Sequence, residues 1–372
     1  MHVLIATGPN LPVPALRGGA VHRFWSEMAP ALVRLGAEVT VYARADRAQA
    51  ACEELAGVRY LRAGGFDARG RRWYDYPRSL LYALAHGWLL PRADVYITND
   101  AFMPWVMAAR GLARRTLVAI GRASKGQFRY YPAGLHCAVP TQAIARQLAS
   151  EAPQLAARCA VLPYAIDVER QRQAAQRQAG PRAGRLLYAG RIHPEKGIEV
   201  LLSAFRLLCV ERGDLRLRVI GPYRADQGGA GADYRERLSR AHADLPVEWC
   251  EPEFDADALA RHYAQAQVFV YPSLAEQGET FGVAPLEAMA AGAVPVVSAL
   301  ACFDDFIEDG VTGLRFDHRG QAPALALCAA LRQALADSDR LALAAQRRAA
   351  AYTVDAVAQR WFDHLQQMHA GA

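Results

Sequence analysis

Two α/β domains, each a βαβ array, are predicted for this 372-residue chain. Three observations lead there. The length suits two domains of roughly 160–190 residues rather than one. Short apolar strands alternate with amphipathic helices along the sequence, as βαβ arrays require. Two motifs with candidate ligand-binding charges fall where a strand gives way to a loop and then a helix, the edge at which open α/β sheets bind ligands. A hydrophobic share of 52% is enough for two cores.

Taken in order, His2–Thr7 and Glu38–Ala43 read as strands around a helix with Phe24, Met28, Leu32 and Leu35 on one face, which Pro30 is expected to kink. Further strands are expected at 58–62, 94–99, 116–121 and 136–140. Around Val161–Asp167 the chain leaves the first domain, and the Gln- and Arg-rich run 169–184 reads as a connector. Strands at 185–190, 215–221, 247–250, 268–272 and 294–298 build the second domain. A last helix over 354–370, with Val357, Trp361, Leu365 and Met368 on one stripe, is expected to pack back on the first domain. The expected boundaries are therefore 1–165 plus that helix, and 166–353. Gln227-Gly-Gly-Ala-Gly231 is a flexible loop, since it lacks the spacing of a dinucleotide fingerprint.

The stretch Gly278-Glu-Thr-Phe-Gly-Val-Ala-Pro-Leu-Glu287-Ala-Met-Ala-Ala-Gly292 places two carboxylates eight residues apart across a loop-to-helix junction. Gly282 permits an unusual dihedral, and the residues from Val283 on are good helix formers. Pro285 fits only in the first turn, so the helix is expected to begin near Val283. Its free amides and positive dipole end then point back at Glu279 to Gly282, a setting that holds phosphate. Glu279 before that site and Glu287 after it suit a ligand with a diphosphate in the middle and a hydroxyl-rich sugar at each end. A solvated helix or loop glutamate is the plainer reading of either residue alone. A glycosidase carboxylate pair needs about 5–9.5 Å, whereas eight helical residues span about 12 Å, which disfavours hydrolysis.

Arg185-Leu-Leu-Tyr-Ala-Gly-Arg191-Ile-His-Pro-Glu-Lys196-Gly-Ile-Glu-Val-Leu-Leu-Ser-Ala-Phe205 reads as strand, tight loop and helix. Arg191 and Lys196 sit on that loop, and both cation types suit phosphate: Arg as a fork, Lys as a point charge. Of the 43 basic residues only Lys125 and Lys196 are lysines. A chain that uses Arg wherever either cation serves marks the surviving lysines as positions that need an ammonium.

With these motifs the chain resembles the retaining glycosyltransferases of family 4. The resemblance covers nearly the whole chain, also through Gly18-Gly19-Ala-Val-His22 and Ala356-Val-Ala-Gln-Arg-Trp361, and is densest over 184–316. It implies a GT-B fold, two Rossmann-like domains facing a central cleft, and a nucleotide-diphosphate sugar as donor, with neither cofactor nor metal. Arg191 and Lys196 are implied to neutralise the diphosphate, Glu279 to hold the transferred sugar, and Glu287 the ribose. Thr280, Phe281, Gly282 and Val283 line the donor, Phe281 and Gly282 through backbone amides. Gly18 and Gly19 are implied to close on the diphosphate, with His22 nearby. The family's usual acceptor-side His, after the strand at 116–121, has no counterpart here, and Arg122 and Lys125 are taken as its replacements. Ala301-Cys-Phe-Asp304-Asp305 departs from the family's Gly-rich acidic stretch, with Asp305 as the stand-in.

The implied activity is transfer of a hexose-type sugar to a glycan or lipid-linked acceptor, with retention of configuration, in cell-envelope polysaccharide or lipopolysaccharide synthesis. A nucleotide-sugar 2-epimerase of the same fold and an inactive partner subunit of a glycosylation complex are the alternatives. Residues 1–163 carry 20 basic against 10 acidic side chains, while the rest of the chain is net acidic. That basic half, with clusters at Arg69/Arg71/Arg72, Arg110/Arg114/Arg115 and Arg122/Lys125/Arg129, suggests an anionic membrane surface as a partner. No recognition helix or RNA-binding motif points to nucleic acid. No apolar run reaches transmembrane length and no signal peptide is read at the start. The seven cysteines, without CxxC spacing, read as small buried hydrophobes in a reducing compartment. A cytoplasmic enzyme, peripheral on the inner face of the plasma membrane, is the expectation.

Overall fold

The computed structural model describes residues 1–16, 20–69, 71–124, 126–178 and 180–371. The chain divides into two compact units, one beginning at Met1 and ending at Ala165 but completed by the C-terminal helix, the other Ile166–Thr353.

The first unit contains, in chain order, β1 (His2–Ala6), α1 (Ala20–Arg34), β2 (Glu38–Arg44), β3 (Cys52–Leu55), β4 (Val58–Ala63), α2 (Arg72–Gly87), β5 (Val95–Thr98), α3 (Met103–Ala109), β6 (Thr116–Ala119), β7 (His136–Val139), α4 (Gln142–Glu151), α5 (Pro153–Ala156) and β8 (Cys159–Val161). The strands form one sheet in the order β3-β4-β2-β1-β5-β6-β7-β8. All neighbours run parallel except β3 beside β4. The interior strands are apolar on both faces, as a sheet covered by helices on both sides demands: Val3, Leu4 and Ile5 are fully buried. Helix α1 runs through Pro30 as one element.

The second unit contains α6 (Val168–Arg177), β9 (Arg185–Ala189), α7 (Ile198–Glu211), β10 (Arg216–Ile220), α8 (Ala232–Ala241), β11 (Val247–Trp249), α9 (Ala256–Gln265), β12 (Val268–Tyr271), α10 (Val283–Ala290), β13 (Val294–Ser298), β14 (Leu314–Phe316), α11 (Pro323–Ala336) and α12 (Ser338–Ala349). Its sheet is wholly parallel, in the order β11-β10-β9-β12-β13-β14. Numbered within the unit this is 3-2-1-4-5-6, the doubly wound order, whose direction reverses between β9 and β12. The last helix, α13 (Val354–Ala370), belongs to the first unit. Its stripe Val357, Trp361, Leu365 and Met368 is buried in the same core as Trp25 and Met28 of α1, and the Trp25 and Trp361 rings meet edge to face at 5.2 Å.

Three sequence expectations need correction. The run 169–184 is not a plain connector: its first part is α6, capped where the Asp167 carboxylate accepts the Arg170 N–H at 2.9 Å. Strands β3, β8 and β14 are additional to those expected, so the strand at 116–119 is the sixth rather than the fifth of the first unit. Cys52 lies exposed on edge strand β3, and Cys159, Cys209 and Cys250 are half-buried, while Cys137, Cys302 and Cys328 are buried.

Candidate functional site

The two loops that flank the reversal point of the second unit are locked together. After β9 the chain turns through Gly190 to a short 3-10 turn, Pro194–Lys196, capped by His193, whose Nδ1 accepts the Glu195 N–H at 3.3 Å. Gly197 follows with φ of +69°, and a Cβ there would stand 2.0 Å from the Pro272 carbonyl oxygen. Only glycine allows this approach of the loop after β9 to the loop after β12. The Leu274 N–H donates to the Glu195 carbonyl at 2.7 Å across the same seam.

That seam delivers Lys196 to Glu279. The Lys196 Nζ donates to Glu279 Oε2 at 2.6 Å and to the Tyr271 hydroxyl at 3.2 Å, and the Tyr271 hydroxyl donates to the same Glu279 oxygen at 3.1 Å. Both charged side chains are nearly enclosed, 7% exposed for Lys196 and 11% for Glu279. Burial, and after it the Glu279 charge, hold the Tyr271 phenol protonated well above its usual 10, so it serves as a donor. Tyr188, fully buried, stacks beside Tyr271 with ring centroids 6.3 Å apart and donates to the Arg191 carbonyl at 2.7 Å. The two tyrosines escaped sequence reasoning. The available signal was a tyrosine closing, or next to closing, each of the two strands that flank the reversal.

Glu279 to Gly282 lead into α10, which begins at Val283 where the sequence puts the helix start. Gly282 is its N-cap with φ of +92°, and a Cβ there would meet the Phe303 ring at 2.5 Å. The Phe281 side chain is buried against Phe306. Thr280 is partly exposed, and Glu287 lies half-buried in α10, four residues after Val283. Pro285 occupies the third position, which leaves the amides of Val283 and Ala284 without intrahelical acceptors. Arg191 is the outer cation: its guanidinium donates to Glu195 Oε1 at 2.6 Å and to the Gly228 carbonyl at 2.8 Å. A hollow of about 250 Å3 at the amino end of β9 and β10, lined by Arg185, Arg216 and Glu248 among others, shares no residue with this cluster.

In the first unit, His22 lies on α1 with its Nε2 buried and, among the described residues, without a hydrogen-bond partner, and burial lowers its pKa. Arg122 is exposed on the loop after β6. Gly18, Gly19 and Lys125 lie outside the described residues. Asp305, the stand-in acid, accepts the Tyr352 hydroxyl at its backbone carbonyl, 3.1 Å away. Among the described residues no group of three or more His, Cys, Asp or Glu side chains is arranged to hold a metal ion.

Residues 183–337 match the family model described as glycosyl transferases group 1. Over 189 residues the chain is 31% identical to the lipopolysaccharide 1,2-N-acetylglucosaminetransferase of Salmonella typhimurium, a match covering 48% of this chain and 49% of that one. Over 245 residues it is 31% identical to the D-inositol 3-phosphate glycosyltransferase of Geodermatophilus obscurus, covering 61% of this chain and 52% of that one. The matched part is thus about half the length of these curated relatives. Among solved structures, sucrose-phosphate synthase from Thermosynechococcus elongatus matches over 100% of both chains with a TM-score of 0.75 and 20% identity. Anabaena HepE, solved with UDP and glucose, matches 98% of this chain and 99% of its own with a TM-score of 0.68 and 16% identity. The fold is that of the GT-B glycosyltransferases, built from two parallel-sheet α/β units.

Proposed function

We propose that this chain is a retaining glycosyltransferase that moves a hexose-type sugar from a nucleoside-diphosphate sugar to a hydroxyl of a glycan or lipid-linked acceptor. The observation that carries the reading is the Lys196–Glu279–Tyr271 cluster, set at the sheet reversal directly ahead of the α10 amino terminus. A buried ion pair is costly to assemble for stability alone. Here it presents an ammonium and a carboxylate side by side next to free amides, the complement of a phosphate joined to a sugar. The glycosyl transferases group 1 match over 183–337 includes both members, and the UDP complex of the HepE neighbour supports a nucleotide donor.

When the bond between the anomeric carbon and the diphosphate breaks, the sugar gains oxocarbenium character and the leaving oxygen gains negative charge. Lys196, Arg191 and the first-turn amides of α10 stabilise that charge, which is the largest service a preorganised site offers. Glu279 holds hydroxyls of the transferred sugar, and Glu287 the ribose hydroxyls. The donor-binding role falls to the second unit. The acceptor side falls to the first, through His22, Arg122 and Lys125. Because protein cations and amides meet the diphosphate charge, turnover is expected to survive EDTA. Retention follows if the acceptor hydroxyl attacks the face the diphosphate leaves. Envelope polysaccharide or lipopolysaccharide synthesis is the process this chemistry fits, on the cytoplasmic side where nucleotide sugars are made.

The test is turnover of a matching nucleotide sugar. Lys196→Ala should lower kcat/KM about 100-fold or more, as removal of one charge-stabilising donor does. Glu279→Ala should abolish transfer yet leave nucleoside-diphosphate binding in place. Near-normal turnover in the Lys196 variant would refute the assignment.

A further inference from the structure

Helix α2 is apolar on two opposed sides. Inward, Tyr82 and Ala83 are buried in the core of the first unit, and His86 Nδ1 lies 2.8 Å from the Tyr42 hydroxyl. Outward, Trp73, Tyr76, Leu80, Leu81 and Leu84, continued by Trp88 just past the helix end, fall on one arc at helical spacing. These side chains are not covered: Trp73 is 72% exposed, Leu81 66% and Trp88 57%. No charged residue interrupts the arc. A scattered exposed leucine needs no explanation, but a continuous stripe with two indoles at its ends does. Tyr76 extends it to Phe102, with ring centroids 6.1 Å apart.

The segment that carries this stripe is rich in arginine. Between residues 69 and 115 the sequence holds eight Arg against three Asp. Of those aspartates, Asp75 accepts the Arg69 backbone N–H, Asp94 accepts the His2 backbone N–H, and Asp100 is buried. Arg69 lies over the Tyr74 ring at 4.4 Å and Arg78 over the Phe66 ring at 4.7 Å, so the cations stand at the edge of the apolar arc. Arg110 closes the helix end, donating to the Gly87 carbonyl. Among the described residues no helix is long and apolar enough to cross a membrane.

We propose that α2 lies flat on an anionic lipid bilayer, with its Trp, Tyr and Leu arc in the acyl boundary and its flanking arginines at the lipid phosphates. The chemistry fits this occupant on each count. Indole and phenol groups favour the headgroup level, leucines the layer beneath, and one-sided arginine a negative surface. The inference rests on the surface of the first unit and does not need the transferase reading.

The test is flotation of the full chain with vesicles of phosphatidylcholine, with or without phosphatidylglycerol as a third of the lipid, and no nucleotide added. Binding is expected on the anionic vesicles and to fall about tenfold or more on the neutral ones. Acyl-chain bromination should quench the tryptophan fluorescence. Leu80→Ser/Leu84→Ser/Trp88→Ser should abolish flotation and quenching with unchanged circular dichroism, and the single Leu81→Ser should weaken both. Failure of the wild-type chain to float on anionic vesicles overturns the proposal, as does flotation that persists in the triple variant. So does a wild-type dimer that the triple variant dissolves with vesicle binding unaltered, which would assign the arc to a second copy of the chain.

Discussion

Glycine carries more of the site than its chemistry suggests. Gly197 stands at φ of +69° with the Pro272 carbonyl 2.0 Å from where a Cβ would be. Gly197→Ala must push the loop after β9 away from the loop after β12, and Lys196 travels with it. The expected result is a loss of kcat/KM approaching that of Lys196→Ala although every charged side chain remains, because a shift of about 1 Å can cost about 100-fold. Wild-type turnover in this variant would show that the seam does not position Lys196. A second residue-scale consequence concerns pH. His136 on β7 and His364 on α13 face each other with ring centroids 6.1 Å apart. Burial first, then His364 and Arg158, pushes the His136 pKa down to about 4, and burial lowers that of His364. An unfolded histidine binds its proton near 6.5, so between 6.5 and 4 the unfolded state holds more protons and stability falls as pH falls. Full enclosure would set the effect of such a shift near 3 kcal/mol, and partial exposure reduces it to about 1–2 kcal/mol. Urea midpoints at pH 7 and 5 should diverge in the wild type and diverge less in His136→Gln, where His364 and His22 still resist protonation. Equal pH dependence in the two proteins would contradict this.

At the scale of elements, α13 is the part of the first unit that the sequence supplies last. Trp361 is packed edge to face on Trp25, and its centroid lies 5.7 Å from that of Phe24. Trp361→Ala is expected to destabilise the first unit by about 3–5 kcal/mol, read as a shift of its urea transition. A loss below about 1 kcal/mol would mean α13 is dispensable for that core. Elements with strong periodicity and clear punctuation were legible in the sequence: α13 from its stripe, β9 and α7 from an apolar run broken by Gly190, Pro194 and Gly197, and α10 from Gly282 and Pro285. Edge elements were not. In β3, Cys-Glu-Glu-Leu has no buried face to impose alternation, and its pairing depends on β4 alone. Helix α6 reads as polar linker because only Val168 and Gln171 are buried; its Asp167 cap was the overlooked cue. In the candidate site, Glu279, Arg191 and Lys196 stood out because they sit in motifs, but the pairing of Lys196 with Glu279 did not. Tyr271 and Tyr188 were hidden among core aromatics, since only the register of β9 against β12 reveals which strand ends converge.

For the whole molecule, the two units divide the chemistry by charge and by surface. Residues 1–163 are strongly basic while the remainder is net acidic, yet the second unit holds Lys196 nearly enclosed beside Glu279 at its sheet reversal. In the proposed reading, local placement rather than net charge defines the donor site. The central claim is that this fixed ammonium recognises a pyrophosphate, and calorimetric titration of the full chain reaches it most directly. UDP, GDP and ADP are each compared with their monophosphates, in the wild type and in Lys196→Met. The account predicts that one diphosphate binds at least about tenfold more tightly than its monophosphate, a difference a single charge-assisted contact can supply, and that Lys196→Met erases it. A diphosphate preference that survives in Lys196→Met would contradict the account, as would a wild-type chain with equal affinity for both.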